Sequence, residues 1–124
     1  MSYEYEASEK GRGLGLPTDR RRALVRNLMR SLILHESITT TEARAKEVQR
    51  HVESLVTVAR KDTLHSRRMA LSTLPDQGAV NVLIHDIAPR YVDRAGGYTR
   101  VTRVGLRKGD GASLARLEFI AVAE

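Results

Sequence analysis

The segment "RAGGYTR", Arg94 to Arg100, places two adjacent glycines and a tyrosine between two arginines. A guanidinium fork matches two oxygens of a phosphate at once. Gly96 and Gly97 give the backbone access to positive φ or to close approach by another backbone. Tyr98 offers a ring face for stacking, or a hydroxyl for a phosphate or a ribose 2′-OH. Arg90 and Arg103 on either side extend the reach to further phosphates. This is chemistry for holding a polyanion, not for breaking a bond. The same residues also admit a structural reading, in which Gly96-Gly97 is a turn into a strand and Tyr98 a core residue. Both readings can hold together.

The distribution of charge favours the binding reading. Of 21 basic residues, 17 are Arg and 4 are Lys, and the net charge of the 124-residue chain is +6. Residues 10–30 carry seven basic groups and one acid, and residues 90–108 carry six and one. These forty residues hold a net +11, which leaves −5 for the rest. A surface evolved only for solubility mixes its signs, whereas this one segregates them.

Other chemistries find little support. There is no cysteine, so neither a disulfide framework nor a thiolate metal site is expected. His35, His51, His65 and His85 have no helical-spacing partner among themselves, and no metal site is read from them. No nucleophile elbow or pair of carboxylates on one element appears, and Asp86 and Asp93 read as capping or ion-pair residues. Nucleophile, base and oxyanion donor are never supplied together, so an enzyme is not expected. "GRGLG" lacks a preceding strand and the spacing of a nucleotide loop. No cofactor, small-molecule substrate or membrane span is read, because no apolar run approaches about 18 residues. The opening "MSYEYEASEK" resembles neither a secretory signal nor a transit peptide, which suits a soluble intracellular domain.

The elements that must carry these arginines follow from periodicity. Residues 1–17 contain three Gly, one Pro and no apolar period, and read as an extended arm. Residues 18–124 read as a single globular domain. Thr18 and Asp19 open a helix in which Leu24, Leu28 and Leu32 recur with Val25, Met29 and Ile33 beside them, ending near His35. Its exposed side and first turn carry Arg20, Arg21, Arg22, Arg26 and Arg30. Cations there oppose the helix dipole unless something anionic lies near. "SITTT" predicts a short strand, and Thr39 with Glu42, or Thr41 alone, caps the next helix. In that helix Ala45, Val48, Val52, Leu55, Val56 and Ala59 share a face, with Glu42–Lys46 and Glu47–His51 as supporting pairs.

A short helix from Asp62 or Thr63 runs to Pro75, and another, capped by Asp76, buries Val80, Leu83, Ile84 and Ile87 before Pro89 stops it. "GYTRVTRVG" and "LARLEFIAV" then read as two strands joined by the turn "RKGDGAS". The expected fold class is α+β, with about four helices packed on a small mixed or antiparallel sheet that includes this C-terminal β-hairpin. Neither a recognisable reading helix nor a ribonucleoprotein aromatic motif is present. Backbone and shape recognition of structured RNA is therefore favoured over operator DNA. A free nucleic-acid binder and a small enzyme with an unfamiliar site remain the rival readings.

From "KGRGL" through "RALVRN", "SLILHESITTTEARAKEV", "DTLHSRR", "APRYVDRAGGYTRV" and "RKGDGASLARLEF", the chain resembles the bacterial-type large-subunit ribosomal protein seventeen family. The resemblance covers about Lys10 to Ile120. It implies a non-catalytic protein with large-subunit ribosomal RNA and neighbouring ribosomal proteins as partners, near the exit of the nascent-chain tunnel. The ribosome it implies is cytoplasmic, with an organellar one as the alternative. It places one RNA-binding surface on Lys10, Arg12, Arg20, Arg21, Arg22, Arg26 and Asn27. A second falls on Arg90, Arg94, Gly96, Gly97, Tyr98, Thr99, Arg100 and Arg103, and Arg44 and Lys46 mark where RNA passes the long helix. The acidic opening "MSYEYEASE" departs from the short basic run usual in the family, which argues against deep RNA insertion of residues 1–9.

Overall fold

The computed structural model describes residues 18–121. Helix α1 spans Thr18–His35, strand β1 Ser37–Thr41, helix α2 Glu42–Ala59, helix α3 Leu64–Thr73 and helix α4 Gln77–Val82. Strands β2, Thr99–Leu106, and β3, Ser113–Phe119, complete the domain. The three strands form one antiparallel sheet in the order β1-β3-β2, so the hairpin's second strand is central and the early strand flanks it. The arm read at residues 1–17 lies outside the described residues.

Local chemistry explains the boundaries. The Thr41 side chain accepts the Arg44 N–H and so opens α2, which leaves Thr39 free to face outward on the strand. Thr63 and Ser66 cap α3 reciprocally, each side-chain oxygen accepting the other's backbone N–H. Asp76 accepts the Ala79 N–H and opens α4. Both expected pairs on α2 form, with Glu42–Lys46 at 3.2 Å and Glu47–His51 at 3.1 Å.

Helix α2 is the spine of the core. Its buried Ala45, Val48, Val52, Leu55, Val56 and Ala59 meet Val25, Met29, Leu32 and Ile33 of α1 and the inner sheet residues Ala115, Leu117 and Phe119. Each fully buried aliphatic side chain contributes roughly 1.5–3 kcal/mol. One inner row of the sheet is Ile38, Leu117 and Val101, set side by side by the register.

Two expectations are corrected. The helix opened by Asp76 does not run regularly to Pro89. It widens into a π turn over Leu83–Ile87, where the Ala88 N–H reaches back to the Leu83 carbonyl, and tightens into a 3-10 turn over Ala88–Tyr91. Pro89 has no N–H to give and its ring needs room against the preceding turn. The widened turn supplies that room, and the chain winds past the proline instead of stopping. Strand β2 begins at Thr99 and not at Gly97, whose backbone at φ +69° belongs to the turn that precedes the strand.

Candidate nucleic-acid interface

The RAGGYTR turn is built against one polar stripe of α2. Gln49, Glu53 and Thr57 recur at every fourth residue and Arg60 follows three later, beside the apolar face and in line with it. Glu53 is the centre. Its Oε1 accepts the N–H groups of Gly97, at 3.0 Å, and Tyr98, at 3.2 Å. Its Oε2 accepts the Thr99 N–H at 2.9 Å and the Thr99 hydroxyl at 2.6 Å. Gln49 donates to the Thr99 carbonyl. The Arg60 guanidinium donates to the Tyr91 and Arg94 carbonyls and lies 5.8 Å from the Tyr98 ring centroid, a cation–π distance.

The tyrosine reading is therefore corrected. Tyr98 has no exposed surface; its hydroxyl lies 3.1 Å from Thr57 Oγ1 and its ring 5.3 Å from that of Tyr91. The ring is an anchor for the turn and has no face open for stacking. Burial pushes the Tyr91 hydroxyl up from its ordinary pKa, and that hydroxyl donates to the Ile120 carbonyl at 2.6 Å. Thr99 is likewise buried, with its hydroxyl committed to Glu53. Tyr91, Tyr98 and Phe119 are all buried, so no tyrosine or phenylalanine ring among the described residues is exposed to a base.

The glycines divide the work. Gly97 has φ +69°, where a side chain is strained, and this lets three successive amides turn toward one carboxylate. Gly96 faces open space, with nothing within 4 Å of where a Cβ would stand. It leaves the exposed backbone bare.

The four arginines differ in how far they are satisfied. Arg94 is exposed, and its guanidinium has no carboxylate partner among the described residues. Arg100 is exposed and meets Glu118 only at 3.7 Å. Arg103 reaches Glu42 at 3.1 Å, in a cluster that also holds Lys46 and Ser113. Arg90 is spent internally: both its arms bind Glu36, at 2.6 and 2.9 Å, while its Nε donates to the Asp86 carbonyl. The Arg90 bonds hold Glu36 below the usual carboxylate pKa, and Glu36 in turn raises Arg90. Arg90 thus clamps the end of α1 to the 3-10 turn, contrary to its reading as a phosphate contact.

On α1, Arg20 and Arg22 are exposed and Arg21 is half-buried. Arg26 donates to the Thr73 carbonyl, and Arg30 bridges Asn27 and Asp76, so these two and Asn27 fasten α1 to the turn between α3 and α4. Arg44 is half-buried at the start of α2. Lys10 and Arg12 lie outside the described residues. Arg90 sits at the C-terminal end of α1, and Arg20 stands about 24 Å along that helix from Glu36.

Glu47 is buried and escaped the sequence reading as more than a surface pair. Burial alone would raise its pKa, yet the bonds from His51 and Arg50 hold it below the ordinary value. A pocket of about 220 Å³ between α2 and α3 is lined by His51, Ser54, Leu55, Val58, Met69 and Thr73, with no acid–base pair across it. Among the described residues no cluster of His, Cys, Asp or Glu could hold a metal ion, and no helix is long and apolar enough to cross a membrane.

Glu53, Arg60 and Thr57 were missed because their partners lie 31 to 46 residues away in sequence. The detectable signal was the i,i+4 series of polar residues running beside an apolar face.

The family model described as Ribosomal protein L17 matches residues 24–120. The large ribosomal subunit protein bL17 of Thermomicrobium roseum is 57% identical over 111 residues, 90% of this chain and 95% of that protein. The protein of the same name from Caldanaerobacter subterraneus subsp. tengcongensis is 50% identical over 109 residues, 88% of this chain and 97% of its own. That from Clostridium botulinum strain Loch Maree is 47% identical over 109 residues, 88% and 96% of the two chains. The chain belongs to the ribosomal protein L17 family.

Proposed function

We propose that this chain is a non-catalytic structural constituent of the large ribosomal subunit that holds ribosomal RNA by its sugar–phosphate backbone, beside neighbouring ribosomal proteins near the nascent-chain exit. The first contact surface is the outer side of α1, Arg20 to Arg22, with Lys10 and Arg12 before it. The second is the RAGGYTR turn, through Arg94, Arg100 and the open backbone at Gly96. Arg44 and Lys46 take RNA passing the start of α2. The observation that carries this reading is a rigid, carboxylate-anchored turn that holds out an arginine with no internal acid to satisfy it. Such a group is pre-organised for an external anion. The segregated positive charge supports the same partner.

The test is a salt titration of full-chain binding to large-subunit ribosomal RNA. Replacing Arg94 and Arg100 by Ala together should reduce the slope of log K against log salt by about two, one per phosphate lost. A slope unchanged by the double substitution would remove the second surface from the proposal.

A further inference from the structure

The outward face of the sheet has no role in the fold. Every buried sheet residue points inward, and the core contains no side chain from the other side. Two rows make up the centre of that outer face. Ser37, Glu118 and Arg100 lie side by side in one, and Thr39, Arg116 and Thr102 in the next. All are exposed except Glu118, which is half-buried. Strands sit about 4.8 Å apart and alternate residues about 7 Å along them, so the grid spans roughly 10 Å by 7 Å.

Its composition selects a partner. The six groups are three hydroxyls, two guanidiniums and one carboxylate, and none is apolar. A protein interface needs an apolar centre depleted of charge, whereas these two rows carry three charges and the face's leucine, Leu114, lies in the outer row between Thr41 and Gly105. Splayed single-stranded bases need rings to stack on, and these two rows carry none. Hydroxyls that both donate and accept suit ribose 2′-OH groups, and guanidiniums suit phosphates; together these are the groups that read the minor groove of helical RNA. Glu118 lies 3.7 Å from Arg100 and 4.0 Å from Arg116, too far for hydrogen bonds but close enough to hold both forks over the face. Their donors stay available and the face keeps a net positive charge.

We infer that the outer face of the β1-β3-β2 sheet is a further RNA-binding surface, seated against the sugar–phosphate backbone of an RNA duplex. The inference rests on the ribosomal reading above but uses none of its residues except Arg100.

The chain contains no cysteine, so a single introduced thiol can carry an iron chelate at one chosen place. Full-length chains bearing Thr102→Cys or Arg20→Cys are tethered, assembled into large subunits and allowed to generate hydroxyl radicals. The sheet tether should cut ribosomal RNA on both strands flanking one minor groove. If the Arg20 tether cuts RNA and the Thr102 tether does not, the sheet inference falls and the ribosomal reading stands. If neither cuts in assembled subunits, the sheet inference and the α1 contact surface fall; if the chains do not assemble, the ribosomal reading falls. A second measurement guards against a perturbed variant: Thr39→Val with Thr102→Val keeps shape and removes only two hydroxyls. That pair should weaken binding to large-subunit ribosomal RNA about tenfold, from two lost hydrogen bonds. Unchanged affinity would overturn the inference.

Discussion

Glu53 decides the shape of the turn at the scale of single residues. Its carboxylate accepts four hydrogen bonds from three consecutive residues, and such charge-assisted bonds are about twice as strong as neutral ones. Glu53→Ala leaves those amides without a partner and is expected to cost about 2–3 kcal/mol, read as a lowered urea midpoint at constant slope. Glu53→Gln, which keeps shape and loses charge, should fall between. The adjacent glycines make a second contrast. Gly97→Ala forces a side chain into left-handed backbone and should cost about 1–2 kcal/mol, whereas Gly96→Ala should stay within about 0.5 kcal/mol. Equal costs would contradict the division of labour described here. The sequence displayed "RAGGYTR" plainly but hid its partner. Spacing within a segment says nothing about a carboxylate more than forty residues earlier, so Tyr98 read equally as a stacking ring or an anchor. Arg90 misled for the same reason, because Glu36 lies 54 residues away.

Among the elements, the helices and strands were legible almost residue by residue. Caps and apolar periods are local, and Thr41, Thr63 and Asp76 each do what their positions suggest. What the pattern could not show was the π and 3-10 winding through Pro89. That winding is decided by how Ile84, Ile87 and Tyr91 reach a common core, a tertiary matter. Asp76 offers a test at this scale, since it both caps α4 and pairs with Arg30 at 3.5 Å. Asp76→Ala should cost about 1 kcal/mol for the cap. Asp76→Asn keeps the cap and loses only a half-exposed ion pair, so it should cost no more than about 0.5 kcal/mol. Thermal or urea unfolding of the two variants separates the contributions.

For the whole molecule, the ion-paired carboxylates of exposed Glu36 and buried Glu47 shape how stability responds to acid. Glu36 and Glu47 are both held below their ordinary pKa of 4.5. Stability contributed by a lowered carboxylate is complete above its unfolded value and fades as pH falls through its folded one. Unfolding midpoints should therefore be level from pH 7 to about 5 and decline below about 4.5. Glu36→Gln should lose stability at pH 7 and show a shallower decline in acid. The segregation of charge was readable from the sequence, as was the fold class. The placement of Arg90 at the end of α1 far from Arg20 was not, because it depends on which way the 3-10 turn packs against that helix.

The central claim is that this molecule is a fixed part of the large ribosomal subunit, held there by RNA. Its most direct test is a sucrose gradient of native lysate, with the chain quantified across the fractions at moderate salt. The account predicts one copy per large subunit, retained in that peak and released only as salt rises high enough to displace phosphate contacts. Recovery in the soluble fractions alone, with none in the large-subunit peak, would contradict it.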